Sequence, residues 1–108
     1  MAVSLKLKEG DTLYANEIAL LTIKDLNKSP FKTEIRVHGV FKCKVEHTHG
    51  DYYPEPTKDY LLSLGDKVVT SNNSISIMLT RISTNHENTP VTVRLSCKAD
   101  KEINFTVE

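Results

Sequence analysis

The sequence predicts an all-β fold, two tandem five-strand units packed about a pseudo-twofold axis as a β-barrel or sandwich, and three features carry that prediction. Wherever the chain is patterned, apolar and polar residues alternate with a period of two, the side-chain period of a half-buried strand. No stretch carries a helical period, so no substantial helix is expected. The third feature is an internal repeat. Gly10-Asp11-Thr12-Leu13 opens one patterned stretch that ends near Val45-Glu46-His47-Thr48, and Gly65-Asp66-Lys67-Val68 opens another that ends at Ile103-Asn104-Phe105-Thr106. Ile18, Leu20 and Lys24 match Ile75, Ile77 and Arg81 at one constant offset. Ile35-Arg36-Val37 then matches Val93-Arg94-Leu95, and Val45 matches Ile103, one residue further on, as a longer loop in the second unit requires.

In chain order, Ser4-Leu5-Lys6-Leu7-Lys8 reads as a strand with Leu5 and Leu7 on one face, and Gly10-Asp11 turns it into Thr12-Leu13. Glu17 to Ile23 places Ile18, Leu20 and Thr22 on one side and Ala19, Leu21 and Ile23 on the other, so both faces are expected to be partly buried. Asn27-Lys28-Ser29-Pro30 is a turn, because Asn and Ser bond to nearby backbone and Pro30 fixes its own φ. Lys32 to His38 returns with Ile35 and Val37 inward, and Phe41 to Glu46 completes the first unit, residues 3–48. His49 to Asp59 carries Pro54 and Pro56 and reads as a stiff, extended connector. The second unit, residues 60–108, runs through Tyr60 to Ser63, Lys67 to Thr70, Ser74 to Ile82, Val91 to Lys98 and Glu102 to Val107. Its long polar loop, Ser83 to Pro90, takes the place of the Asn27 turn.

At 108 residues the chain is a single domain, long enough to fold without metal or disulfides. Fourteen Lys and Arg balance 14 Asp and Glu. A net charge of zero argues against strong nonspecific polyanion binding, which needs surplus cations on some face, yet permits a local basic surface. Cys43 and Cys97 are not at equivalent repeat positions and lack metal-type spacing, so free thiols are expected. The N-terminal residues contain no apolar segment of signal-peptide length, and no run approaches membrane-spanning length. The expected location is cytoplasmic, with no membrane partner.

A strand, a Gly-acidic pair with an aliphatic two residues on, a long strand, and aliphatic-Arg-aliphatic followed nine residues later by a further aliphatic occur in both halves. With Val93-Arg94-Leu95-Ser96-Cys97-Lys98-Ala99-Asp100-Lys101-Glu102-Ile103 as its closest passage, this pattern resembles the CsrA/RsmA carbon-storage-regulator family over nearly the whole chain. The resemblance implies a five-strand unit whose first and last strands cross into a partner, here fused into one chain as a pseudo-dimer. It further implies binding to single-stranded, GGA-containing leaders of messenger RNA, and translation regulation by occlusion without chemistry. The family's RNA edge uses basic residues in the first strand and an Arg closing the last one. Here the first strand offers Lys6 and Lys8, the second unit offers Leu61, Leu62 and Ser63, and the closing Arg is replaced by His49 and Val107. One RNA-binding edge is therefore expected, formed by Lys6, Lys8, Lys42, Lys44 and His49. Arg36 and Arg94 read as exposed strand positions whose stems cover apolar neighbours.

Other constellations point away from chemistry. His47 and His49 share a strand face, a spacing that suits a metal, but a lone His-x-His at a strand end is more often solvated, and neither a metal nor another cofactor is expected. Cys43 and His47 are too far apart along a strand for a direct hydrogen bond, and no phosphate loop, nucleophile elbow or acidic metal cluster occurs, so the protein is not expected to be an enzyme. Tyr52, Tyr53 and Tyr60 suit a staple holding the connector on the core better than a stacking platform. The alternative to RNA is a protein partner, gripped through an exposed strand edge by a module that keeps the fold. A chain that already holds both halves is expected to be a monomer or weak homodimer.

Overall fold

The computed structural model describes residues 2–29, 32–38, 43–46, 52–54, 59–70, 74–100 and 103–108, with backbone alone at 27–29, 43–44 and 52–54. Eleven strands and no helix are found among them: β1 (Ala2–Lys8), β2 (Thr12–Ala15), β3 (Ile18–Ser29), β4 (Lys32–Val37), β5 (Cys43–Glu46), β6 (Tyr52–Pro54), β7 (Asp59–Leu62), β8 (Lys67–Thr70), β9 (Ile75–Thr84), β10 (Pro90–Ala99) and β11 (Phe105–Val107). They form two antiparallel sheets, a six-stranded one in the order β1-β10-β9-β8-β5-β6 and a five-stranded one in the order β11-β2-β3-β4-β7. The fold is all-β as the alternation predicts, and the sheets stack as a sandwich rather than closing into a barrel.

Each sheet mixes the two halves of the chain. Strands β8, β9 and β10 of the second half are flanked by β1 and β5, the first and fifth strands of the chain. Strands β2, β3 and β4 are flanked in turn by β7 and β11 from the second half. Alternation delivers the core between the sheets. Leu7, Leu13, Leu21, Ile23, Ile35 and Val45 meet Leu62, Val68, Ile77, Leu79, Val93, Leu95 and Cys97, all 5% exposed or less. Burial of the Cys97 thiol pushes its pKa up to about 12, so this free cysteine stays protonated and packs as a small apolar group.

Two turns set the registers. In the first, the Asp11 N–H donates to the Lys8 carbonyl (3.0 Å), the Asp11 carboxylate accepts from the Lys8 N–H (3.0 Å), and the Gly10 N–H reaches the Ile23 carbonyl (2.8 Å). In the second, Asp66, Ser63, Gly65 and Leu79 make the same bonds at 3.0, 2.9 and 2.8 Å. Gly10 and Gly65 hold φ of 91° and 90°, which a residue with a Cβ adopts only under strain. The β2–β3 connection is a two-residue turn in which Asn16 (φ 48°) and Glu17 (φ 71°) are both left-handed, the signature of a type I′ hairpin. In the second half the corresponding connection spans residues 71–74, of which 71–73 lie outside the described residues.

Several boundaries differ from the sequence expectation. Strand β3 runs on to Ser29, opposite Lys32, so most of the expected Asn27 turn belongs to a longer hairpin. Part of the expected connector is β6, paired with β5 through Lys44↔Pro54, Val45↔Tyr53 and Glu46↔Tyr52. A sheet edge admits Pro54 because its missing N–H can point away from the ladder. The loop between β9 and β10 contracts to residues 85–89, where the Asn85 side chain accepts N–H bonds from Glu87 (2.8 Å) and Thr89 (3.1 Å). Tyr60 is buried in β7 opposite Ile35, as a packed ring rather than a free platform. The side chains of Tyr52 and Tyr53 lie outside the described residues.

The ladders also displace two pairings of the expected repeat: the Gly10 and Gly65 bonds match Ile23 to Leu79, so Arg81 takes the register of Asp25 rather than Lys24. Ile23 faces Ile35 in one hairpin and Leu79 faces Leu95 in the other, so the second hairpin spans 79 to 95 against 23 to 35. Arg94 consequently occupies the register of Glu34, and Arg36 that of Ser96. On the Arg36 arm the shift is two residues and keeps every side chain on its own face, which is why alternation in the sequence gives no sign of it; on the Lys24 arm it is one residue, and exposed Ile18 no longer matches buried Ile75.

Candidate functional site

The site is built on the outer face of the six-stranded sheet. Lys6 of β1 lies directly across from Arg94 of β10, and Arg94 directly across from Arg81 of β9. All three side chains are exposed. Lys8, Thr92 and Ser83 form the next row toward one end. Together Lys6, Arg81, Ser83, Thr92, Val93 and Arg94 line a polar depression of about 220 Å³.

A bulge produces this row. Inward residues of β9 fall at Ile75, Ile77 and Leu79, so strict alternation would turn Arg81 into the core. The register shift between Arg94/Leu95 and Arg81/Leu79 leaves Thr80 as the extra residue, and its hydroxyl donates to the Arg94 carbonyl (3.1 Å). The bulge re-aims Arg81 outward, next to Arg94. Like charges directly opposed on a sheet repel. Arg94 nevertheless spends a single described hydrogen bond, Nη1 to the Ser4 hydroxyl at 3.3 Å, and among the described residues no carboxylate lies within ion-pair distance of Lys6, Arg81 or Arg94.

The five-stranded sheet resolves its charges internally. In the register matching Lys6, Arg94 and Arg81 it carries Leu61, Glu34 and Asp25. Its exposed arginine, Arg36, closes a fork on Asp59 through Nε (2.9 Å) and Nη2 (3.3 Å), and Lys24 adds a third contact at 3.1 Å. The Arg36 hydrogen bonds, with that of Lys24, pull the Asp59 carboxyl down to about 2. On the same sheet His38 Nε2 lies 2.7 Å from the Thr22 hydroxyl, itself 2.8 Å from that of Thr12, a polar chain that ties the end of β4 to β2. The two outer surfaces therefore differ in charge although their ladders correspond.

Only part of the expected RNA edge comes together. Lys6 and Lys8 are on β1, as expected, and exposed. The backbone of Lys44 is in β5, opposite Val69 and on the same sheet as β1. Three strands separate them, about 19 Å at the usual spacing, so β1 and β5 do not share an edge. The Lys44 side chain, Lys42, His47 and His49 lie outside the described residues. The strand that approaches β1 at the sandwich corner is β11, Phe105-Thr106-Val107, which brings no cation. Arg81 and Arg94 take the places beside Lys6 instead. Arg81 carried one signal in the sequence, a charge on the apolar parity of β9 that demands a bulge. The approach of β1 to β10 carried none.

Among the described residues no group of three or more His, Cys, Asp or Glu is arranged to hold a metal, and no helix is long and apolar enough to cross a membrane. Comparison with protein-family models, curated proteins and solved structures gives no match.

Proposed function

We propose that this protein is a non-enzymatic RNA-binding regulator that occludes a single-stranded messenger leader, in the manner of a carbon-storage regulator fused into a single-chain pseudo-dimer. The observation that carries the reading is the row Lys6, Arg94 and Arg81, three exposed cations without a carboxylate partner among the described residues of a chain whose net charge is zero. Such a row is a local electrostatic footprint for phosphate. The exchange of β1 and β5 with β7 and β11 between sheets supports the pseudo-dimer, since strand crossing is what the family resemblance implies. Guanine and phosphate recognition by arginine forks makes Arg81 and Arg94 the functional counterparts of the family's missing closing arginine.

A labelled GGA-containing RNA hairpin titrated at low and moderate salt tests this. Saturable binding that weakens with salt and is lost on changing Lys6 and Lys8 to Glu is the expected result. Absence of binding at micromolar protein would overturn it. The alternative of a protein partner is favoured by one feature, the open edge of β1, seven residues long. Recovery of one protein from lysate, unaffected by nuclease, would select that reading.

A further inference from the structure

We propose that the depression between Lys6, Arg94 and Arg81 is a phosphate-binding pocket, and that it lays the RNA strand across the face of the six-stranded sheet rather than along the β1 edge. The second half of this inference rests on the RNA reading above; the first half does not. Three cations on neighbouring strands converge on one polar depression of about 220 Å³, large enough for a hydrated phosphate group. Two of them are guanidinium forks, whose geometry matches phosphate oxygens in pairs. Ser83 and Thr92 line the same depression, and their side chains carry hydroxyl groups able to act as neutral donors.

The fold spends structure on this arrangement. Without the Thr80 bulge, Arg81 would point into the core; with it, Arg81 is placed directly opposite Arg94, the register in which like charges are destabilising. An anion seated between them relieves that repulsion. The five-stranded sheet shows what an arginine fork on this scaffold does when a carboxylate is supplied, because Arg36 closes on Asp59. Around Lys6, Arg94 and Arg81 no described carboxylate takes that role, which leaves the place to an external oxyanion. In the matching register Leu61, Glu34 and Asp25 offer no cation, so the chain has one such pocket among its described residues.

The shared chemistry is a phosphate oxyanion, either the phosphodiester of RNA or free inorganic phosphate, and two measurements separate the sources. Arginine Nε–Hε signals of the intact protein are followed by NMR while inorganic phosphate, or a GGA-containing RNA with a 5′-hydroxyl end, is added. In parallel, RNA affinity is measured across salt for the wild type, Arg81→Gln and Lys32→Gln, the last removing one charge from the opposite sheet. Arg81 and Arg94 signals are expected to shift saturably with both ligands. Arg81→Gln should weaken RNA binding about tenfold and lower the log–log salt slope by about one, with Lys32→Gln unchanged. RNA binding by Arg81→Gln at wild-type affinity and slope would overturn the path across the face while leaving the regulator reading intact. Shifts with phosphate but no binding of RNA would keep the pocket and overturn the RNA reading. Arg81 and Arg94 signals unmoved by either ligand would overturn the pocket.

Discussion

Asp59 shows how one side chain sets the character of a whole surface. Its carboxylate takes both arms of the Arg36 fork and the Lys24 ammonium, which neutralises the exposed cations around it. The same contacts favour its ionised form, so its carboxyl titrates near 2 rather than near the ordinary value of about 3.9. A depressed carboxyl contributes stability that is fully present above the unfolded value and is lost as pH falls from about 4 through about 2. Replacing Arg36 with Ala should raise the Asp59 midpoint toward the ordinary carboxylate range, as followed by NMR titration of its side-chain carbon. It should also remove part of the acid-limb pH dependence of unfolding. A midpoint still near 2 in that variant would assign the shift to Lys24 instead.

At the scale of the element, turns and bulges do more than the strands they join. The paired Gly-Asp turns fix where β2 and β8 begin, and their hydrogen bonds are local enough to be anticipated from the sequence. The β2–β3 turn is less expected, because Glu17 holds a left-handed φ of 71° that disfavours a residue with a long side chain. Asn16 tolerates its own left-handed conformation better, and its side-chain oxygen accepts the Asn104 N–H at 3.0 Å, docking the entry to β11. Glu17 is exposed, so nothing is lost by shortening it. Glu17→Gly is expected to raise stability by about 1 kcal/mol in denaturant unfolding, with the slope unchanged. A loss of stability would mean that the Glu17 side chain has a role the turn geometry does not reveal. The Thr80 bulge is the counterpart on the six-stranded sheet, since one extra residue moves Arg81 from core parity to the surface.

Across the whole molecule, the exchange of strands makes the two halves mutually dependent. Sheet β8-β9-β10 lacks both flanking strands without β1 and β5, and β2-β3-β4 lacks them without β7 and β11. Separate fragments 1–58 and 59–108 should therefore each lack the dispersed NMR spectrum of a folded domain, and equimolar mixing should restore it. A fragment that folds alone as a monomer would contradict this interdependence. The same exchange brings Lys6 to Arg94 from opposite ends of the chain, so the cationic row is a property of the assembled pair of sheets and not of either half.

The all-β class and most strands with their inward faces were legible in the sequence, because alternation and turn chemistry are local; β6, hidden in the proline-bearing connector, and the outward turn of Arg81 were not. The sequence also carried the likeness of the two Gly-Asp turns. Which strands meet was settled by long-range pairing. The approach of β1 to β10, the four-residue difference between hairpins that separates Arg36 from Arg94 in register, and the bulge that completes the cation row are long-range or parity-preserving features. Alternation with a period of two reads the same before and after a shift of two residues, so only the ladder of backbone hydrogen bonds distinguishes the registers.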